Sequence, residues 1–334
     1  MRVLSLFDGI SCARVALQRA NLPISSYYAS EIDTNAIKVS TKNHPDIIRL
    51  GSVVGLVPPE NIDLLIGGSP CQDLSISKKD RKGLDGERSG LFWEYVRIKK
   101  ECNPKWFVLE NVASMPKKDR DSITEAMGVE PVMFDASLVS AQSRKRLFWT
   151  NIPFTLPEDR GILLRDILEP EVDAKYDYAG KLGKAQGQRV YSPEGKSVTL
   201  SANGGGGGAK MGLYLCGRDI GRRLNEEGHR DDYNKDLPIQ RRIELRDDDK
   251  TGTLTSVMKD NVVVGETRIR KLTPIECERL QGLPDEYTSG VAMTQRYKCL
   301  GNAFNVDVVA HILRGLDKLM SVNSRCLASH DGGV

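Results

Sequence analysis

The run Asp63-Leu64-Leu65-Ile66 is apolar at consecutive positions and stops at two glycines, within Leu64-Leu65-Ile66-Gly67-Gly68-Ser69-Pro70-Cys71-Gln72-Asp73-Leu74-Ser75. A strand without polar alternation needs cover on both faces, which is the setting of a buried parallel strand in an α/β sheet. In an open sheet of that kind, ligands bind in the crevice beyond the carboxyl ends of the strands. A turn placed there and stiffened by Pro70 sets the Cys71 thiol where a nucleophile is useful. A lone cysteine is more commonly a small buried residue, so the rest of the chain must supply its partners.

Other predicted strand ends carry chemistry too. Arg2-Val3-Leu4-Ser5-Leu6 runs into Phe7-Asp8-Gly9-Ile10-Ser11-Cys12, and a helix follows with Ala13, Ala16, Leu17 and Ala20 on one face. A strand, a glycine turn and a helix together offer free backbone N–H groups to a nucleotide, although one glycine is a weak fingerprint. Tyr27-Tyr28-Ala29-Ser30 ends at Glu31, about 20 positions after the turn, where doubly wound folds place a carboxylate on ribose hydroxyls. A solvated helix-start residue is the plainer reading of Glu31. Trp106-Phe107-Val108-Leu109 ends at Glu110-Asn111-Val112, on the same sheet edge as Cys71. A carboxyl group there can deliver a proton to a ring nitrogen while a thiol adds to a pyrimidine. Further on, Arg144, Arg146 and Phe148 alternate with Lys145 and Leu147, a strand pattern that aims both arginines to one side.

Composition bounds the rest. With 334 residues, 40% hydrophobic and 28% charged, the chain suffices for one large domain and a smaller one. Its seven cysteines form no CxxC pair and its four histidines are scattered, so neither a disulfide framework nor a metal site is expected. No run approaches the length of a membrane span and no signal peptide opens the chain, so we expect a cytoplasmic protein without a membrane partner. A net charge of +3 does not by itself argue for nucleic acid. The segment Lys78 to Gly90, directly after the cysteine turn, is basic and glycine-rich. It suits closure over a polyanion, or it is an ordinary solvated loop.

Six motifs in order then carry a resemblance: Phe7-Asp8-Gly9, Gly68-Ser69-Pro70-Cys71-Gln72, Glu110-Asn111-Val112, Gln142-Ser143-Arg144-Lys145-Arg146, Arg270 to Gly282, and Gly301-Asn302-Ala303-Phe304. Together they resemble the DNA (cytosine-5) methyltransferase family of prokaryotic or phage type. The opening Leu4 to Ile10 is also similar to the animal de novo methyltransferases.

The resemblance implies that Cys71 attacks C6 of the target cytosine, Glu110 protonates or hydrogen-bonds N3, Arg146 holds the O2 edge and Arg144 braces the constellation. It implies S-adenosylmethionine as methyl donor, held by Phe7, Asp8, Gly9, Ile10, Glu31, Ile32, Ser52, Val53, Pro70 and Leu91, with Asn302 and Ala303 at its amino-acid end. S-adenosylhomocysteine is then the product. A cytosine buried in a duplex must be flipped out first. Two departures stand out. Ser52 replaces the acidic residue that usually meets the adenine amino group, with Val53 beside it as a substitute contact. Ser11 and Cys12 replace glycines of the first turn.

The implied fold is a doubly wound, mostly parallel α/β sheet of the Rossmann-like methyltransferase type, with a smaller, irregular β-rich target-recognition domain. We expect the catalytic domain in residues 1–165 plus 291–320, the recognition domain in 166–290 and a flexible tail in 321–334. The recognition region echoes itself: Gly195-Lys196-Ser197-Val198-Thr199-Leu200-Ser201 against Asp249-Lys250-Thr251-Gly252-Thr253-Leu254-Thr255. These are two ordinary hairpin strands, or one Thr-Leu pair, Thr199-Leu200 or Thr253-Leu254, supports the flipped base. Gln72, Ser75, Lys78 and Arg81 are candidate DNA contacts, as are Arg218, Arg222, Arg223, Arg241, Arg242 and Arg246, some of which must instead pair with Asp231, Asp232 and Asp247 to Asp249. Thr273, Pro274 and Glu276 read as a capped helix start, with Arg279 bracing the joint. Val306, Val309, Leu313, Leu316 and Met320 have helical core spacing. The expected partner is double-stranded DNA bound by a monomer, with a separate cognate restriction endonuclease as a further possibility. A tRNA cytosine-5 methyltransferase and a catalytically silent DNA-binding relative are the rival readings.

Overall fold

The structure, a computed structural model, describes residues 1–70, 84, 89–169, 200–202, 215–223, 234, 236–245, 254–257, 262–264 and 269–316. The chain divides into two compact units. The first comprises Met1–Asp135, Lys145–Pro157 and Phe304–Val334; the second comprises Ala136–Arg144 and Glu158–Ala303.

The first unit is built on a seven-stranded sheet. Its strands are β1 (Arg2–Leu6), β2 (Ser26–Ser30), β3 (Ile48–Gly51), β4 (Leu64–Gly68), β5 (Trp106–Val112), β6 (Val132–Asp135) and β7 (Lys145–Thr150). Their order is β3-β2-β1-β4-β5-β7-β6. The first five run parallel, and β7 is antiparallel to both β5 and β6. From β1 the chain winds outward to β2 and β3, then returns across to β4 on the other side of β1. Strand order therefore reverses between β1 and β4, and the crevice at that reversal is where such sheets take ligands. Phe7 to Gly9 leave β1 at this point, and Ser69 and Pro70 leave β4.

Continuous apolar runs are satisfied because both faces are covered. Val3, Leu4, Leu6 and Leu64 to Ile66 are all fully buried. Leu4, Leu6, Leu65 and Leu109 join one cluster with Phe92, Tyr95 and Ile98 of α3 (Phe92–Cys102). On α1 (Cys12–Arg19) the expected face Ala13, Ala16 and Leu17 is buried, as is Ala20 just beyond. This helix packs on α7 (Val306–Leu313), and Arg19 pairs with Asp307 at 2.9 Å. Val306, Val309, Leu313 and Leu316 are buried, as their spacing predicts; Met320 and the tail 321–334 lie outside the described residues. The helices α2 (Thr34–Asn43) and α4 (Lys117–Met127) complete the described helices of this unit. Leu147, Phe148 and Trp149 on β7 are buried in succession. The strand read from the alternation is present, but Arg144 lies before its first residue, and three successive buried residues show that both faces are covered there.

The second unit contains β9 (Leu215–Arg223), β10 (Ile239–Leu245), β12 (Val262–Val264) and β13 (Ile269–Lys271), in the order β10-β9-β12-β13 and antiparallel throughout. Of the two echoing segments, the described residues pair with each other. β8 (Leu200–Ala202) and β11 (Leu254–Val257) pair with each other in parallel, with Leu200 opposite Leu254.

The helix α5 (Pro274–Leu280) opens as expected: Thr273 Oγ1 accepts from Glu276 N–H at 3.1 Å, and Glu276 accepts from Thr273 N–H at 2.8 Å. Arg279 donates to the carbonyls of Ile167 and Leu168 and pairs with Asp285 at 2.7 Å. The helix α6 (Met293–Asn302) lies against α5, β8 and β11. Those contacts group residues 291–303 with the second unit, where the sequence had suggested the catalytic domain.

Candidate active site

Glu110 stands at the carboxyl half of β5, in parallel register with Gly68, the last residue of β4. On its other side β5 meets β7, with Val112 opposite Arg146 and Glu110 opposite Phe148. Directly opposed residues share a face, so Glu110 and Arg146 are diagonal neighbours on one side of the sheet. Arg146 Nε reaches Glu110 Oε1 at 2.8 Å, with both side chains about seven-eighths buried (12% and 13% exposed). The other oxygen, Oε2, faces Gly68: a Cβ there would stand 2.9 Å from Oε2 and 2.7 Å from the Phe304 ring. The absence of a side chain at Gly68 therefore lets a carboxylate and an aromatic ring approach the strand that leads to the cysteine.

Asn111 ties that strand down. It is buried, and its amide donates to Ser69 Oγ at 3.0 Å and to the Ser69 carbonyl at 3.4 Å. Pro70 follows. Cys71 itself, with Gln72, Ser75, Lys78 and Arg81, lies outside the described residues. Asn111 and Phe304 occur in motifs read from the sequence but were not singled out as site residues. The signal for each is a contact across strands, which no local pattern carries.

The turn after β1 follows an unusual backbone course. Phe7, Gly9 and Ser11 all have left-handed φ, at 56°, 57° and 62°. At Gly9 a Cβ would meet nothing within 4 Å, so the turn keeps one open side. Glu31 closes against it. Its Oε2 accepts from Gly9 N–H at 2.7 Å, and its Oε1 accepts from the Ile32 and Asp33 N–H groups at 2.7 and 2.8 Å. A carboxylate has about four acceptor positions, so one remains for a hydroxyl. Ile32 is 71% exposed, an apolar surface next to that carboxylate. An open turn, a spare acceptor and an exposed apolar side chain fit a nucleoside with ribose hydroxyls and a flat base.

The remaining expected cofactor residues divide. Asp8 and Ile10 turn their side chains inward, at 0% and 1% exposure, so only their backbone can face a ligand. Ser52 Oγ accepts from Val54 N–H at 3.1 Å, while the Val53 side chain is buried and its carbonyl accepts from Leu56 N–H at 3.2 Å. Leu91 is half-buried at the edge of the α3 cluster.

Arg144 is held by backbone carbonyls. β7 begins at Lys145, and Arg144, just before it in the second unit, donates to the carbonyls of Ala303 at 2.9 Å and Gly301 at 3.3 Å. Gln281 donates to the Leu300 carbonyl at 2.6 Å. Exposed Asn302 thus ends a helix whose final carbonyls are held by two buried side chains, and Ala303 follows it, buried.

Leu200 and Leu254 are placed side by side, and their partners Thr199 and Thr253 lie outside the described residues. Register in the β9–β10 ladder puts 218, 222 and 242 on one face and 241 on the other, because Arg218 opposes Glu244, Arg222 opposes Gln240, Arg242 opposes Ile220 and Arg241 opposes Gly221.

The family model described as C-5 cytosine-specific DNA methylase matches residues 1–318. The chain belongs to that family. Its methyl donor is therefore S-adenosylmethionine, the cofactor of the family. Among curated relatives, the orphan methyltransferase M.SPRI of Bacillus phage SPR is 27% identical, over 95% of this chain and 97% of that protein. The type II methyltransferase M.HhaI of Haemophilus parahaemolyticus is also 27% identical, over 93% of each. The type II methyltransferase M.HpaII of Haemophilus parainfluenzae is 29% identical, over 92% of this chain and 86% of that protein. Among solved structures, the Entamoeba histolytica methyltransferase EhMeth aligns with a TM-score of 0.63 at 16% identity, covering 96% of this chain and 98% of that one. A Spodoptera frugiperda DNMT2 variant aligns with 0.61 at 18%, covering 94% and 99%. These two bear on the fold alone. Among the described residues no helix of the chain is long and apolar enough to cross a membrane.

Proposed function

We propose that the chain methylates C5 of a specific, flipped-out cytosine in duplex DNA through a covalent bond between Cys71 and C6. The observation that carries this reading is the divided Glu110 carboxylate: one oxygen on Arg146, the other turned to Gly68 of the nucleophile turn. When the thiolate adds to C6, electron density builds on the ring and at N3. Glu110 Oε2 is the group to hold or supply the N3 proton, and the Arg146 guanidinium offsets charge on the O2 side. Asn111 fixes the strand end from which Cys71 attacks. Attack makes C5 nucleophilic; after methyl transfer to C5, with S-adenosylhomocysteine leaving, a base removes the C5 proton and elimination returns the thiolate.

Bound S-adenosylmethionine supplies an electrophilic methyl group at C5. Gly9, Glu31 and Ile32 would hold its adenosine part, with Phe7, Ser52, Val53, Pro70 and Leu91 around them. Asn302 and Ala303 are assigned to its amino-acid end by resemblance. In this reading residues 166–290 select the DNA sequence, and the enzyme works as a cytoplasmic monomer, with or without a cognate restriction endonuclease.

Incubation with tritiated S-adenosylmethionine and either duplex DNA or tRNA tests the substrate. Label on C5 of cytosine in duplex DNA is the expected result. Label in tRNA alone, or in neither, contradicts the proposal.

A further inference from the structure

Asp8 is the second residue of the turn after β1, yet none of its side chain is exposed. Its Oδ1 accepts from the Tyr27 hydroxyl at 2.7 Å, and its Oδ2 accepts from the Ser11 hydroxyl. Arg49 Nη1 stands 3.6 Å from Oδ2, a charge contact and not a hydrogen bond. Ser11 Oγ is also bonded to Ser40 Oγ, which accepts from Arg49 Nη2 at 2.6 Å. The bonds run in one direction: Arg49 donates to Ser40, Ser40 to Ser11 and Ser11 to Asp8, so each hydroxyl gives one bond and receives one. Ser11, Ser40 and Tyr27 are all buried.

Ser11 is the anomaly that gives this network a purpose. It precedes α1 at the N-cap, where a serine ordinarily has extended φ and caps the helix with its hydroxyl. Here φ is +62°, in the left-handed region, and no side-chain cap is made. The hydroxyl is spent on Asp8 and Ser40 instead. A glycine would take this φ unaided; a serine needs support, and the buried carboxylate provides it.

The same carboxylate draws together the turn, β2 through Tyr27, α2 through Ser40 and β3 through Arg49. Arg49 lies just before Gly51, whose carbonyl accepts from Ser30 Oγ at 2.8 Å, and Ser52 and Val53 follow. Three of the strand ends assigned to the cofactor, those of β1, β2 and β3, are therefore linked.

We infer that Asp8 is a positioning residue that, through Ser11, holds the Phe7–Ser11 turn in its left-handed course and so sets the affinity for S-adenosylmethionine without touching the reacting atoms. This rests on the assignment of that turn to the cofactor. The test is a double-mutant cycle of Asp8→Asn and Ser11→Gly in the full chain, read by calorimetric binding of S-adenosylhomocysteine and by the separate KM and kcat for S-adenosylmethionine.

In the wild-type background, Asp8→Asn weakens binding about tenfold, which is about 1.4 kcal/mol. It raises KM alike and leaves kcat at saturating cofactor within about twofold. In the Ser11→Gly background the same change costs no more than about threefold, since glycine needs no support at that φ. Equal losses in both backgrounds, or a loss confined to kcat, overturn the inference. Failure of the wild-type protein to bind S-adenosylhomocysteine overturns the cofactor assignment instead. Should Asp8→Asn not fold, Tyr27→Phe removes one donor and keeps the ring: weaker binding at unchanged kcat supports the inference, and unchanged binding overturns it.

Discussion

Arg146 and Glu110 hold each other at 2.8 Å from neighbouring antiparallel strands, with Arg146 Nε on Oε1 of the carboxylate and Oε2 beside Gly68. The geometry follows from register: Arg146 opposes Val112, two residues beyond Glu110 on the same face. The pair is thus preorganised by the sheet, and Oε2 already stands beside Gly68, on the strand that leads to the nucleophile turn.

If the pair acts as a unit, its members are not independent. Arg146→Ala and Glu110→Gln each lower the single-turnover methylation rate by roughly 10²–10³, the scale of losing one preorganised electrostatic partner. The double variant falls little further. Multiplicative losses would show that the two residues act separately.

The second expectation concerns Gly68. A methyl group at this position meets Phe304 at 2.7 Å and Glu110 Oε2 at 2.9 Å. Gly68→Ala is therefore overpacked and loses about 1–3 kcal/mol of stability, together with most activity. Adding Phe304→Leu recovers stability, read as the urea midpoint, but not activity, because the carboxylate is still displaced. Recovery of both would mean that only the ring matters.

These features differ in how far the sequence announces them. The strand-end positions of Glu110 and Glu31 are legible because each follows an apolar run, and a run ending in a reactive residue is a local signal. Asn111, Phe304 and the Asp8 network are not, since their meaning lies in partners brought together across strands. Ser11 was visible as a departure from glycine, but its φ and its bond to Asp8 were not. In Arg144 to Phe148 the strand was legible, but the burial of Leu147, Phe148 and Trp149 in succession was not, since it depends on what packs on both faces. The echoing segments were legible as strands, and their parallel pairing was not.

A third expectation is a pH dependence of stability. Burial, then the charge of Arg14, lower the His44 pKa to about 4 from 6.5, with Asp46 opposing and Arg49 adding to the shift. The folded protein keeps His44 neutral while the unfolded chain takes up a proton. The resulting stability is present above about pH 6.5 and is lost as pH falls toward about 4. His44→Gln flattens the urea midpoint across that window relative to wild type. Parallel pH profiles would contradict the assignment.

In the second unit, Arg218 and Arg222 share a ladder face that Arg241 does not. If one face meets the duplex, Arg218→Ala and Arg222→Ala change the salt slope of DNA binding alike, by about 1 each for a phosphate contact. Arg241→Ala then behaves differently from both. Identical effects from all three would remove the argument from register.

The central claim is that a Cys71 thiolate, served by Glu110 and Arg146, bonds to C6 of an extruded cytosine. Duplex DNA carrying 5-fluorocytosine in the methylated sequence measures this directly, because fluorine blocks the final elimination. The account predicts a stable protein–DNA complex in the presence of S-adenosylmethionine, with the cross-link mapped by mass spectrometry to Cys71 and absent in Cys71→Ala. A complex that persists in Cys71→Ala, or one mapped to another residue, would contradict it.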